Sequence, residues 1–177
     1  LLGDTEDNSH HESYCDMISH FYQLKRNVMI LQNDFKLDYV GHKQIDLWWG
    51  GLKGNGALMM IIAHLIKTSP RWREINVCVK MVLPNEESAK GARENLKQII
   101  AEMRISFEYK VIVSNNRSFW DIFAEESKNS TMVMMGLKTP DENFSDYYNK
   151  FKENTKAIKN KIFFLAAELI EFKDVLN

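Results

Sequence analysis

The sequence predicts an α/β protein, an open, doubly wound, mainly parallel five-stranded sheet with an extra helix and strand at its amino-terminal end. Three observations lead there. Strand-like and helix-like apolar segments alternate almost to the end of the chain. Most strand-like segments are continuous apolar runs, which suits a parallel sheet covered on both faces. The helix-like segments between them carry recognisable start and stop residues.

Taken in order, the first dozen residues are polar and rich in Asp, Glu and His, and residues 1–12 are expected to be a disordered start. Residues 13–43 are read as a helix, a strand and a polar connector: Met17, Ile18, Phe21 and Leu24 recur at helical spacing, and NVMIL from Asn27 to Leu31 is a buried strand. Residues 44–177 form the α/β domain proper. Its strands are IDLWW from Ile45, INVCVKMVL from Ile75, FEYKVIV from Phe107, TMVMMGL from Thr131 and KIFFLA from Lys161. The first intervening helix spans Ala57 to Thr68 and stops at Ser69-Pro70, because a residue before proline is pushed out of helical geometry. The second is capped by Asn85 with Glu86 and Glu87 in its first turn, and its stripe is Ala89, Ala92, Leu96, Ile99, Ile100 and Met103. Ser118 and Asp121 open the third, and the fourth carries Tyr148, Phe151 and Ile158 on one side.

Composition narrows the function classes. With 177 residues, 45% of them hydrophobic, one domain with a filled core is expected. A formal net charge of -1 favours neither nucleic acid nor an anionic bilayer as partner. The longest apolar stretch, Ala57 to Ala63, ends at His64 and is far too short to span a membrane. The start lacks a basic flank before an apolar run, so no signal peptide and a cytosolic location are expected. Cys15 and Cys78 belong to no C-x-x-C pair and read as buried thiols, and the sequons at Asn116, Asn129 and Asn143 read as chance.

Open parallel sheets bind ligands at the carboxyl ends of their strands. The glycine-rich segment there is GGLKGNG, with Gly50, Gly51, Lys53, Gly54, Asn55 and Gly56. It invites a phosphate-binding reading at a helix amino terminus, yet matches neither G-x-G-x-x-G nor the phosphate loop. The other reading is a compact turn with positive backbone angles. His10 and His11 fall in the start, His20 on the first helix, His42 in the connector and His64 alone on an apolar helix, and no H-E-x-x-H or nucleophile elbow is present. No catalytic residue, metal site or cofactor is expected, and the chain reads as a non-enzyme.

In IDLWW the adjacent Trp48 and Trp49 point to opposite faces, so each is expected to anchor one helical layer. The order of Ile45, Asp46, Trp48 and Trp49, a glycine segment, an apolar helix and then Trp72 resembles the carboxy-terminal domain of the cation-chloride cotransporters. Arg104, Ile105 and Phe107 in EMRISFEYKVI add to it, over roughly Gln44 to Val113. Lys53 to Gly56, and a following helix without proline, depart from the animal pattern and are similar to a compact prokaryotic member. The fold implied is that of the universal stress proteins. Nucleotide-binding members of that fold carry further glycines after the fourth strand, whereas LKTPDENFSDYYNK follows Gly136 and no glycine comes after it.

The resemblance implies a cytosolic regulatory domain that forms a homodimer, contacts the membrane transport domain of the same polypeptide and does not itself enter the membrane. It also implies that the chain is one domain of a longer protein, and its start without methionine accords with that. Tyr14, Phe21, Tyr22, Phe172, Val175 and Leu176, left over once core positions are assigned, are expected to supply the dimer patch. The alternative is a free-standing universal-stress-like module that holds a small anion at Gly50 to Gly56.

Overall fold

The structure is a computed structural model that describes residues 1–4, 8–33, 44–50 and 53–168. Its strands are β1 (Leu2–Gly3), β2 (Val28–Gln32), β3 (Gln44–Trp48), β4 (Asn76–Leu83), β5 (Glu108–Val113), β6 (Met132–Gly136) and β7 (Lys161–Leu165). The helices are α1 (His11–Gln23), α2 (Lys53–Thr68), α3 (Glu86–Glu102), α4 (Phe119–Ser127) and α5 (Phe144–Thr155). All seven strands join one sheet in the order β1-β2-β7-β6-β3-β4-β5. The five from β7 to β5 are mutually parallel, and β2 adds to β7 in the antiparallel sense. This is the doubly wound sheet expected from the sequence.

Strand alternation sorts the core into two layers. Ile45, Leu47, Val77 and Val79 face one cluster with Met59, Met60 and Ala63 of α2 and Leu96 and Ile100 of α3. Val133, Met135 and Phe163 face the other, with Ile18 of α1, Phe123 of α4 and Tyr148 and Phe151 of α5. The caps follow the local chemistry: Asn85 accepts from the Ser88 N–H at 2.9 Å and Ser118 from the Asp121 N–H at 3.1 Å. Each cap contributes about 1 kcal/mol. Arg104, just past α3, takes a left-handed conformation at φ 53° and turns the chain toward β5.

Some boundaries differ from expectation. The start is not disordered where it is described: Leu2 and Gly3 pair with Ile30 and Leu31, and residues 8–10 form a 3₁₀ turn leading into α1. Its order comes from partners distant in sequence, which local polarity does not report. Residues 13–33 hold the expected helix and strand, and β2 pairs with β7 over five residues. Finally, α2 begins at Lys53 rather than Ala57, and Ile158 lies beyond α5.

Candidate functional site

In β3 the side chains of Ile45 and Leu47 point to the α2 side with Trp49, and Trp48 to the α4 side. Trp48 is held on two sides. Its ring meets Phe119 edge-on at 5.5 Å and Phe123 at 5.4 Å, while its Nε1–H donates to Ser127 Oγ at 2.8 Å. Trp49 is buried beneath the first turns of α2, and its Nε1–H finds no partner among the described residues.

Asp46 stands on the Trp48 side, 0% exposed, beside Lys80 of β4, 2% exposed. Lys80 Nζ donates to Asp46 Oδ2 at 2.7 Å and to the Glu126 carbonyl at 2.6 Å. Asp46 also accepts from Gln44 Nε2 at 2.7 Å, from Ser127 Oγ at 2.9 Å and from Ser130 Oγ. A buried carboxylate with four donors is fully satisfied, and the ammonium sits against the negative end of α4. Leaving either charge without the other costs about 3–5 kcal/mol, so the pair locks α4 to the sheet. Sequence reading assigned Asp46 to a motif and missed Lys80, Ser127 and Ser130. The signal was there in two charged residues, each set inside an apolar strand.

The glycine segment is built for close packing. Gly54 and Gly56 are helical, and no left-handed φ occurs at Gly50, Gly54 or Gly56. A Cβ on Gly56 would lie 2.6 Å from the Trp49 ring, and one on Gly54 3.2 Å from the Ala166 Cβ. The compact-turn reading is therefore corrected: helix meets sheet at a separation only glycine permits. Gly51 lies outside the described residues, as does the side chain of Lys53.

Asn55, buried at 5% exposure in the first turn of α2, spans the carboxyl ends of β6 and β7, beside the reversal of strand order between β3 and β6. Its Nδ2 donates to the Leu137 carbonyl at 2.7 Å, and its Oδ1 accepts from the Ala166 N–H at 2.7 Å. A Cβ on Gly136 would come within 2.8 Å of the Asn55 Cβ. The protein's own amide thus ties the ends of β6 and β7 together next to the place where this architecture puts ligands.

The remaining motif residues are structural in placement. Ile105 and Phe107 are buried in the α2–α3 cluster, Trp72 is half-buried against it, and Arg104 is exposed. Tyr14, Phe21 and Tyr22, expected as surplus, pack on the α4–α5 cluster, while Phe172, Val175, Leu176 and His42 lie outside the described residues. His64 is half-buried on α2. Among the described residues no group of His, Cys, Asp or Glu is placed to hold a metal ion, and no helix is long and apolar enough to cross a membrane.

Sequence reading also missed a node at the start of the chain. Asp4 accepts from Gln32 Nε2, from the Tyr148 hydroxyl at 3.1 Å and from Lys152 Nζ at 3.1 Å, and the Tyr14 hydroxyl donates to the Gly3 carbonyl at 3.0 Å. His11, placed in the disordered start by sequence, opens α1, and its Nε2 lies 3.1 Å from the Ser145 carbonyl. Beside it a cleft of about 470 Å³ lies between α1 and the start of α5, lined by Cys15, Asp16, Asp141 and Ser145 among others. Burial pushes the Cys15 thiol up and holds the Cys78 thiol up at about 11, so neither is activated.

The crystal structure of the cytoplasmic domain of a prokaryotic cation chloride cotransporter shares this fold, with a TM-score of 0.69 at 19% identity. The match covers 94% of this chain and 62% of that one, so the chain spans less than two thirds of that domain's length. No curated protein matches it in sequence. The model of solute carrier family 12 matches residues 3–119, well over half of the chain, and takes in β2, the tryptophan strand, the packed glycines and the Lys80 strand. The chain belongs to solute carrier family 12.

Proposed function

We propose that this chain is the cytosolic regulatory and assembly domain of an electroneutral cation-chloride cotransporter, dimerising and contacting the membrane transport domain of the same polypeptide. The observation that carries the reading is the family match across residues 3–119. Two features accord with it. The fold is that of a domain described as the cytoplasmic part of such a transporter. Beside the strand-order reversal, where an α/β enzyme or nucleotide binder keeps its crevice, Asn55 ties the ends of β6 and β7 together. On this reading the domain lies on the cytoplasmic side of the membrane, binds no nucleic acid, performs no chemistry and acts by holding two transporters together. Binding of a small anion at Gly50 to Gly56, the other reading of the sequence, is disfavoured because Gly54 and Gly56 are spent on helix–sheet packing.

The test uses the full-length protein encoded with this chain, reconstituted in liposomes. Chloride-dependent cation uptake is measured with the domain intact and with residues 3–168 deleted. Uptake that is chloride-coupled in the intact protein and falls several-fold on deletion is the expected result. An intact protein without chloride-coupled uptake, or a deletion that transports at the intact rate, overturns the proposal.

A further inference from the structure

β5 is the outermost strand at the α3 end of the sheet, and no strand pairs with its far side among the described residues. Such an edge presents a row of backbone N–H and C=O groups ready for a further strand. Natural edges are commonly guarded by a proline, a bulge or charged side chains, lysine above all, which deter any strand that cannot match them. β5 has no proline, and it pairs with β4 without interruption from Cys78↔Glu108 to Leu83↔Val113. Its exposed half reads Glu108-Tyr109-Lys110, an acid and a base on either side of a tyrosine that is 38% exposed.

That order is self-complementary when reversed. We propose that the β5 edge is the contact between two copies of this chain, paired antiparallel about a two-fold axis through Tyr109; this rests on the dimeric reading given above. In this register Tyr109 faces the partner's Tyr109, Glu108 faces the partner's Lys110, and Lys110 faces the partner's Glu108. Opposed charges attract across antiparallel strands, whereas centring the axis on Glu108 or Lys110 would set like charges directly opposite each other. The face relation agrees. Lys110 points to the α4 side, where its Nζ meets Glu126 Oε2 at 2.7 Å, and Glu108, two residues away, shares that side. A two-fold axis normal to the sheet keeps these faces common, so each acid meets its base on one surface. Lys110 is 52% exposed and has room for a second carboxylate beside Glu126. A copy of this chain satisfies both charge pairs at once, which an unrelated strand does only by chance. The product is one continuous sheet through both protomers, closed by symmetry.

Two variants of the 177-residue chain test this. Residues directly opposite in antiparallel strands have Cα atoms about 4.5–5.5 Å apart, inside the roughly 4.4–6.8 Å a disulfide spans. Tyr109→Cys is therefore expected to cross-link into a covalent dimer under mild oxidation, while Asn149→Cys, exposed on α5, stays monomeric on a denaturing gel. The native Cys15 and Cys78 are buried and do not interfere. Glu108→Lys sets two lysine pairs face to face and is expected to weaken association by about tenfold in sedimentation. If the parent dimerises while Tyr109→Cys fails to cross-link and Glu108→Lys associates normally, the β5 contact is overturned and the dimeric reading survives. A parent that stays monomeric at hundreds of micromolar overturns both.

Discussion

Tyr148 shows how one side chain couples the start of the chain to its core. Its ring is fully buried among His11, Phe144 and Phe163, and its hydroxyl reaches the Asp4 carboxylate. Burial first, and the Asp4 charge second, push its pKa far above the ordinary tyrosine value; burial does the same to Tyr14. The sign follows directly. The folded state holds these protons more tightly than the unfolded chain, whose tyrosines titrate near about pH 10. Their contribution is complete below that value and declines above it, by up to about 1.4 kcal/mol per pH unit for Tyr148 and by less for the half-buried Tyr14, which solvent screens. Urea unfolding from about pH 8 to 11 should therefore show stability falling at the alkaline end, with a shallower fall in Tyr148→Phe. An identical alkaline slope in both proteins would mean that this hydroxyl is not shielded as described. Lys80 belongs to the same scale: a lysine in mid-strand survives burial because Asp46 and a helix-terminal carbonyl receive it.

Among the elements, α2 and α3 use glycine in opposite ways. In an ordinary exposed helix Gly→Ala stabilises by about 0.5–1 kcal/mol, because glycine loses more backbone freedom on folding. Gly91 of α3 meets that condition, since a Cβ there touches nothing within 4 Å. Gly91→Ala should raise the melting temperature by a few degrees. Gly56 of α2 does not, because its Cβ would enter the Trp49 ring, itself pinned between helix and sheet. Gly56→Ala should cost about 1–3 kcal/mol, the usual penalty of overpacking. Thermal melts of the two variants against the parent decide the sign at each site. Equal gains would show that α2 stands off the sheet and that its glycines serve another purpose. Glycine content was legible in the sequence; its purpose was not, because the ring it accommodates lies across a helix–sheet interface.

At the level of the whole molecule the sheet order governs what the protein can bind. The chain runs outward from β3 to β5, returns to β6 on the other side of β3, and leaves at the reversal the site that related architectures use for nucleotides. Here Asn55 bridges Leu137 and Ala166 at the ends of β6 and β7 beside that site, and Gly136 fits closely against it. Calorimetry with ATP and magnesium should therefore give no saturable binding below about millimolar concentration, a ligand having first to break these buried hydrogen bonds. A micromolar isotherm would require Asn55 to swing out and would restore the nucleotide-binding reading.

Periodicity in the chain was enough for the layered α/β architecture, the five parallel strands, the caps at Asn85 and Ser118 and the opposed directions of Trp48 and Trp49. All of these depend on backbone geometry within a few residues of the side chain concerned, so local order carries them. The Asp46–Lys80 lock, the Asn55 bridge, the close seat of Gly56 and the Asp4 node needed the folded molecule. Each joins residues from separate elements, as when Asp4 meets Lys152 or Asn55 meets Ala166. Charge and glycine in a sequence mark where such contacts are needed; which partner answers them depends on strand order and register, and these are set by packing across the whole sheet.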